Sequence, residues 1–127
     1  MKEIIKLLKV LSDESRLRVL NLIKERECCV CEVMQVLGIS QSKASRILSA
    51  LYDVGIIKLR RDGRWALYSL DKEGMKDYAK IIYSGIIIAL KENSITTKDI
   101  EKLKITERIR PKCKGIFPNY QLKQNAA

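Results

Sequence analysis

Gly38-Ile39-Ser40-Gln41-Ser42-Lys43-Ala44-Ser45-Arg46-Ile47-Leu48-Ser49-Ala50-Leu51-Tyr52 is the stretch on which the reading of the fold turns. Ser40 is a hydroxyl helix cap, and Ala44, Ile47, Leu48 and Leu51 then recur on one helical face until Gly55 closes the segment. The other face carries Ser40, Gln41, Ser42, Lys43, Ser45, Arg46 and Ser49. Short hydroxyls, an amide and cations are the side chains that meet phosphates and base edges. Just upstream, Val33, Met34 and Leu37 mark a short helix ended by Gly38. Helix, short glycine-containing turn and helix make a helix-turn-helix. Downstream the hydrophobic period changes from 3.6 to 2. Ile57 and Leu59 alternate with charge, Arg61-Asp62-Gly63-Arg64 brackets an Asp-Gly turn, and Trp65-Ala66-Leu67-Tyr68-Ser69-Leu70 reads as the returning strand. A hairpin directly behind a helix-turn-helix is a wing. The expected fold class is therefore mainly α, a winged helix-turn-helix of five helices and a two-stranded β-hairpin.

Working outward, Ile4, Ile5, Leu8 and Leu11 predict a first helix over 2–11. Ser12 reads as the cap of a second helix that runs to about Arg26 and buries Leu17, Leu20, Leu22 and Ile23. Residues 72–92 read as a fifth helix whose apolar surface is too broad for one contact: Met75, Tyr78, Ile81, Ile82, Ile86 and Ile88 spread around it. Such a helix must be buried more than once. In a chain of 127 residues the second cover is expected to be another subunit, giving a homodimer through the first and fifth helices. Ser94 to Leu103 is a short helical stretch, and 108–127 holds both prolines among many Lys and Arg. The expected division is a DNA-binding and dimerisation domain over 1–93 and a basic, partly mobile extension over 94–127.

Three of the four cysteines, Cys28, Cys29 and Cys31, stand within four positions directly ahead of the helix-turn-helix. Thiolates select soft, thiophilic ions. A ligand on these sulfurs would pull on the opening turn of the DNA-binding motif. Residues at i and i+3 share a helix face and those at i and i+2 do not. Cys28 and Cys31 would thus converge on an intact turn, whereas a Cys29/Cys31 pair needs the helix to distort or to start later. A helix N-terminus favours the thiolate; Glu27 and Glu32 oppose it. The fourth cysteine, Cys113, lies in the basic extension.

Lys and Arg number 25 against 15 Asp and Glu, a net +10, which fits a polyanion partner. Ile81 to Leu90, the longest apolar stretch, contains Tyr83, Ser84 and Gly85 and is too short to span a bilayer. No leader-like segment precedes the first helix, so a reducing cytoplasm is expected, where clustered thiols mean metal or redox chemistry. With no histidine, no phosphate-binding glycine loop and no nucleophile elbow, an enzyme is not expected.

Leu8-Lys9-Val10-Leu11-Ser12-Asp13-Glu14-Ser15-Arg16-Leu17-Arg18-Val19-Leu20 resembles the opening of the ArsR/SmtB family of metal-responsive winged-helix repressors. Glu27-Cys28-Cys29-Val30-Cys31-Glu32-Val33 is similar to that family's third-helix metal box, Ser40 to Arg46 to its recognition helix, and Arg61 to Tyr68 to its wing. The resemblance covers residues 4–92. It implies a homodimeric repressor on double-stranded operator DNA with an inverted repeat, released when a toxic ion binds. Carried over residue by residue, DNA contact falls to Ser40, Gln41, Ser42, Lys43, Ser45, Arg46, Arg61 and Arg64. The ion falls to Cys29 and Cys31 with a third thiolate from Cys28 or Cys113, of which Cys28 is preferred because it needs no ordering of a tail. No cofactor is permanently bound; the implied effector is arsenite or antimonite, with cadmium or lead as alternative ions. Two departures stand out: Cys28 replaces a leucine, and Met34 stands where arsenic sensors often have a further cysteine. The family's other site, built from Asp, His and Glu on the last helix, cannot exist without histidine. The rival readings are a thiol-redox or persulfide-sensing repressor of the same fold, and a soft-metal sequestering protein with no operator.

Overall fold

Hydrophobic spacing and caps divide residues 1–108, the part of the chain that the computed structural model describes, into six helices and one hairpin. The elements are α1 (Lys2–Leu11), α2 (Glu14–Glu25), α3 (Val30–Leu37), α4 (Gln41–Asp53), β1 (Ile57–Asp62), β2 (Trp65–Leu70), α5 (Asp77–Leu90) and α6 (Ser94–Lys104). The winged helix-turn-helix expected from the sequence is present, with α3 and α4 as the two helices of the motif.

Local chemistry moves three boundaries. Asp13, not Ser12, caps α2: its carboxylate accepts the Arg16 N–H at 3.0 Å, while the Ser12 hydroxyl donates to the Lys9 carbonyl and finishes α1. A carboxylate at the positive end of a helix dipole gains charge stabilisation that a hydroxyl lacks. The turn of the wing is Gly63-Arg64, because Asp62 still pairs with Trp65; Gly63 takes φ 63° and relieves the strain of that reversal. Finally, α5 begins at Asp77 rather than near 72. Asp71 holds the chain in a turn by accepting the Gly74 N–H on its side chain and the Met75 N–H on its carbonyl.

The core lies where α2, α3 and α4 meet and the base of the wing closes over them. Leu20 and Leu22 of α2, Val33 and Met34 of α3, and Leu48 and Leu51 of α4 are fully buried there. Burial of this kind is the main force holding the three helices in one arrangement. In α1 the buried residues are Leu7 and Leu11, while Ile5 and Leu8 of the expected stripe stay largely exposed. The broad apolar surface of α5 is likewise left open within one chain, with Ile81 at 73% and Ile88 at 74% exposure.

Packing continues past residue 93, where the sequence suggested a boundary. Asn93 caps α6 through the Ile95 and Thr96 N–H groups, and the helix lies across α2 and α3 with Leu103 buried. Arg18 of α2 grips the buried Asp99 of α6 with two bonds of 2.9 Å. The sequence reading missed this because one amphipathic helix of eleven residues carries no mark of which surface it will cover. Residues 109–127, with Cys113 and most of the expected basic tail, lie outside the described residues.

Candidate functional site

The thiol cluster does not sit on a helical turn. Cys28 is extended and forms an isolated bridge with Tyr68 of β2, its N–H donating at 3.0 Å and its carbonyl accepting at 2.8 Å. Cys29, at φ −98° and ψ 170°, is the N-cap of α3, so the helix begins only at Val30. The later start is one of the two alternatives that allow a Cys29/Cys31 pair. With Cys29 outside the helix and Cys31 in its first turn, their Cα atoms are 5.5 Å apart and their sulfurs are joined in a disulfide. No intact helical turn spans Cys28 and Cys31, because α3 begins only at Val30.

Cys28 is fully buried, and its Sγ–H points to the Arg26 carbonyl at 3.3 Å. Burial, and after it the negative charge of Glu32, pushes the thiol up to about 12, with Arg26 and Arg108 pulling weakly the other way. It behaves as a small apolar side chain with a protonated sulfur. Among the described residues no set of three Cys, Asp or Glu side chains gathers closely enough to hold an ion. A third thiolate is therefore not part of the described arrangement.

Glu32, Arg26 and Arg108 hold this turn, a role that the sequence reading assigned to none of them. Glu32 is 2% exposed; one carboxylate oxygen accepts the Cys29 N–H at 2.8 Å and the other meets Arg26 at 2.7 Å. Arg108 reaches the first oxygen at 3.2 Å. Glu three residues after a cap is the spacing of a capping box, with cysteine in the place of Ser or Thr. That spacing was visible in the sequence, and the cysteine hid it. Glu27 leaves the cluster to pair with Arg60 of β1 at 2.7 and 2.8 Å, which holds the Glu27 carboxyl below its ordinary range.

At the start of α4, Ser40 spends its hydroxyl as the helix cap, accepting the Lys43 N–H at 3.2 Å. Ser42, Lys43 and Arg46 are exposed beside it, while Gln41 and Ser45 are half-buried at the helix edge. Arg61 and Arg64 are exposed on the wing. Arg60 differs from them because its guanidinium is tied to Glu27.

A helix-turn-helix followed by an antiparallel hairpin, with cations on the exposed faces of both, defines a winged-helix protein of the DNA-binding class. Within that class, the family described as "Bacterial regulatory protein, arsR family" matches residues 13–58. The chain is 39% identical over 85 residues to the arsenic resistance transcriptional regulator ArsR1 of Pseudomonas putida, the match covering 66% of each. It is 37% identical to the cadmium resistance regulatory protein CadC homolog of Staphylococcus aureus, over 58% of this chain and 62% of that one. With the arsenical resistance operon repressor of Escherichia coli it shares 40% identity over 61% of this chain and 68% of the repressor. The first two matches thus span just under two thirds of those relatives' length. Among solved structures, the homodimeric winged helix-turn-helix DNA-binding domain of a Mycobacterium bovis protein superposes at TM-score 0.61 with 25% identity, covering 73% of this chain and 82% of that one. The transcriptional repressor BigR of Xylella fastidiosa does so at TM-score 0.61 and 28% identity, over 73% and 88%. The chain belongs to the ArsR family of regulatory proteins, a family of DNA-binding regulators and not of enzymes. No helix among the described residues is long and apolar enough to cross a membrane.

Proposed function

We propose that the protein is a dimeric transcriptional repressor that leaves its operator when a thiophilic ion, arsenite or antimonite first, binds the Cys29/Cys31 pair. The observation that carries this reading is the placement of the pair. Cys29 caps α3 and Cys31 lies in its first turn, with Cα atoms 5.5 Å apart, on the helix that packs against the recognition helix α4. When the two sulfurs are reduced, the same approach offers two soft donors to one ion. A pyramidal arsenic(III) site takes a third thiolate. Cys28 is buried with its sulfur directed to the Arg26 carbonyl, so Cys113 or an external thiol such as glutathione is the better source. The relatives named for arsenic and cadmium resistance support an ion of this type. Ser42, Lys43 and Arg46 on α4 and Arg61 and Arg64 on the wing would make the DNA contacts, Ser40 acting as cap and Gln41 and Ser45 lying at the edge.

A second reading is favoured by the joined sulfurs. The pair can act as a dithiol that gives up two electrons and two protons to an oxidant, with the disulfide as the signalling state. Both readings are tested by fluorescence anisotropy on labelled promoter DNA with reduced protein. Cys29→Ser and Cys31→Ser should each bind DNA like the wild type and no longer release it with arsenite. A response to diamide in place of arsenite in the wild type would select the redox reading. Arsenite release that survives in the double variant would sink the ion site.

A further inference from the structure

Among the described residues, the Glu32 carboxylate joins the thiol turn, the strap formed by residues 94–108 and, through Arg108, the wing. Its Oε1 accepts from the Cys29 N–H and from Arg108, and its Oε2 from Arg26. Arg26 extends the link with its other nitrogen, donating to the Leu103 carbonyl at 3.1 Å and the Thr106 hydroxyl at 3.2 Å. Gln35 of α3 clasps the backbone of Glu107 from both sides, at 2.8 and 3.3 Å. The guanidinium of Arg108 stands over the ring of Trp65, 5.8 Å from its centroid, and its buried Nε finds no hydrogen-bond acceptor among the described residues. A cation at that distance from an indole face is held by the ring itself.

From this geometry we propose that residues 94–108 act as a latch on the sensor turn, with Glu32 as its catch and Arg108 as the arm that reports to the wing. The physical basis is the coordination of one buried charge. A carboxylate this deeply buried must keep its donors. If the backbone of Cys29 rotates to bring both sulfurs onto a ligand, its N–H leaves Glu32 and the cations around the carboxylate must rearrange. Arg108 then shifts from Trp65, at the start of β2, the same strand that Cys28 bridges at Tyr68. The route from turn to wing therefore runs through the strap, beside the route from α3 to α4. The reporting step rests on the thiol-sensor reading above; the latch itself does not.

Trp65 is the only tryptophan of the chain, which makes the contact directly readable. The first arm uses the reduced full chain without any ion. In Arg108→Ala the emission of Trp65 should move to longer wavelength as the ring loses its cover. Iodoacetamide labelling of Cys29 and Cys31, read by peptide mass spectrometry, should become several-fold faster. Arg108→Lys keeps a charge without the planar fork and should fall between the two; it also serves if the alanine variant fails to give a native circular dichroism spectrum. Wild-type emission and wild-type labelling rates in a folded Arg108 variant would overturn the latch. The second arm adds cadmium alone and follows thiolate-to-cadmium absorption beside Trp65 emission. In the wild type both should change together. In Arg108→Ala the absorption should still rise, while the emission already stands near its loaded value. Absorption without an emission change in the wild type would overturn the reporting step and leave the ion site standing. No absorption in the wild type would remove the ion site, and the labelling arm would still decide the latch.

Discussion

Cys28 and Cys29 are neighbours that are both buried but play different backbone roles, and the difference comes from one bridge. Pairing with Tyr68 turns the Cys28 side chain into the core, while the next residue becomes the cap of α3. Burial disfavours the charged form of a thiol, and the shift from 9.0 to about 12 follows from that cause first. Cys28 should therefore resist iodoacetamide near pH 8, with labelling appearing only when denaturant unfolds the chain. Early labelling would show that the bridge opens. The same shift has a consequence for stability. Above about pH 9 the unfolded chain releases this proton and the folded chain keeps it. Stability should thus fall as the pH rises from 9 towards 12, by at most about 1.4 kcal/mol per unit from this group. Denaturant midpoints compared between wild type and Cys28→Ala check the effect, which should be absent in the variant.

α3 is the element on which the others depend. Its first turn holds the thiol pair, its buried face packs on α2 and α4, and α6 covers its remaining side. A short helix held on three sides cannot shift at one end without moving what it touches. On the proposed reading α4 and the wing divide the work of DNA contact. Arg46→Ala, at an exposed position on α4, should weaken operator binding by roughly 1–3 kcal/mol and relax the preference at one base pair. Arg61→Ala and Arg64→Ala on the wing should weaken all sequences about equally and flatten the salt dependence by about one unit per lost phosphate contact. Competition binding across salt concentrations separates the two patterns. A loss from Arg46→Ala that is independent of sequence would move it to the phosphate class. Arg60 is set apart here because its pairing with Glu27 anchors β1 to the lead of α3.

At the scale of the whole molecule, the exposed apolar residues of α1 and α5 are the feature that one chain leaves unanswered. Ile81 and Ile88 stand more than two thirds exposed, with Ile5 and Leu8 at 44% and 48%. Leaving such side chains in water forgoes roughly 1.5–3 kcal/mol each relative to full burial. A two-fold dimer through these helices would cover them and place two recognition helices on an inverted repeat. Light scattering at micromolar concentration should give the mass of two chains for the wild type and of one chain for an Ile81→Lys, Ile88→Lys double variant. That variant should also bind operator far more weakly, since two half-sites are then met one at a time. A monomeric wild type would remove the basis for this assembly.

Periodicity and turn chemistry were enough to read the winged helix-turn-helix from the chain alone, and the resemblance of its motifs pointed to the family. These signals are local: the apolar face of α4, the glycines after α3 and α4, and the change of period at Ile57 are each decided within a few residues. The cysteine cluster was visible for the same reason, and so was the rule that a Cys29/Cys31 pair needs a late helix start. Spacing alone left open which cysteines pair, and only the resemblance named Cys29 and Cys31, because the choice depends on Tyr68, forty residues away, drawing Cys28 into a bridge. Nor could the chain show that Glu32 is shared by Cys29, Arg26 and Arg108, or that α6 folds back on α2 and α3. Those contacts join residues up to 81 apart, and their energy comes from burial and ion pairing that exist only once the chain has brought both partners to one place.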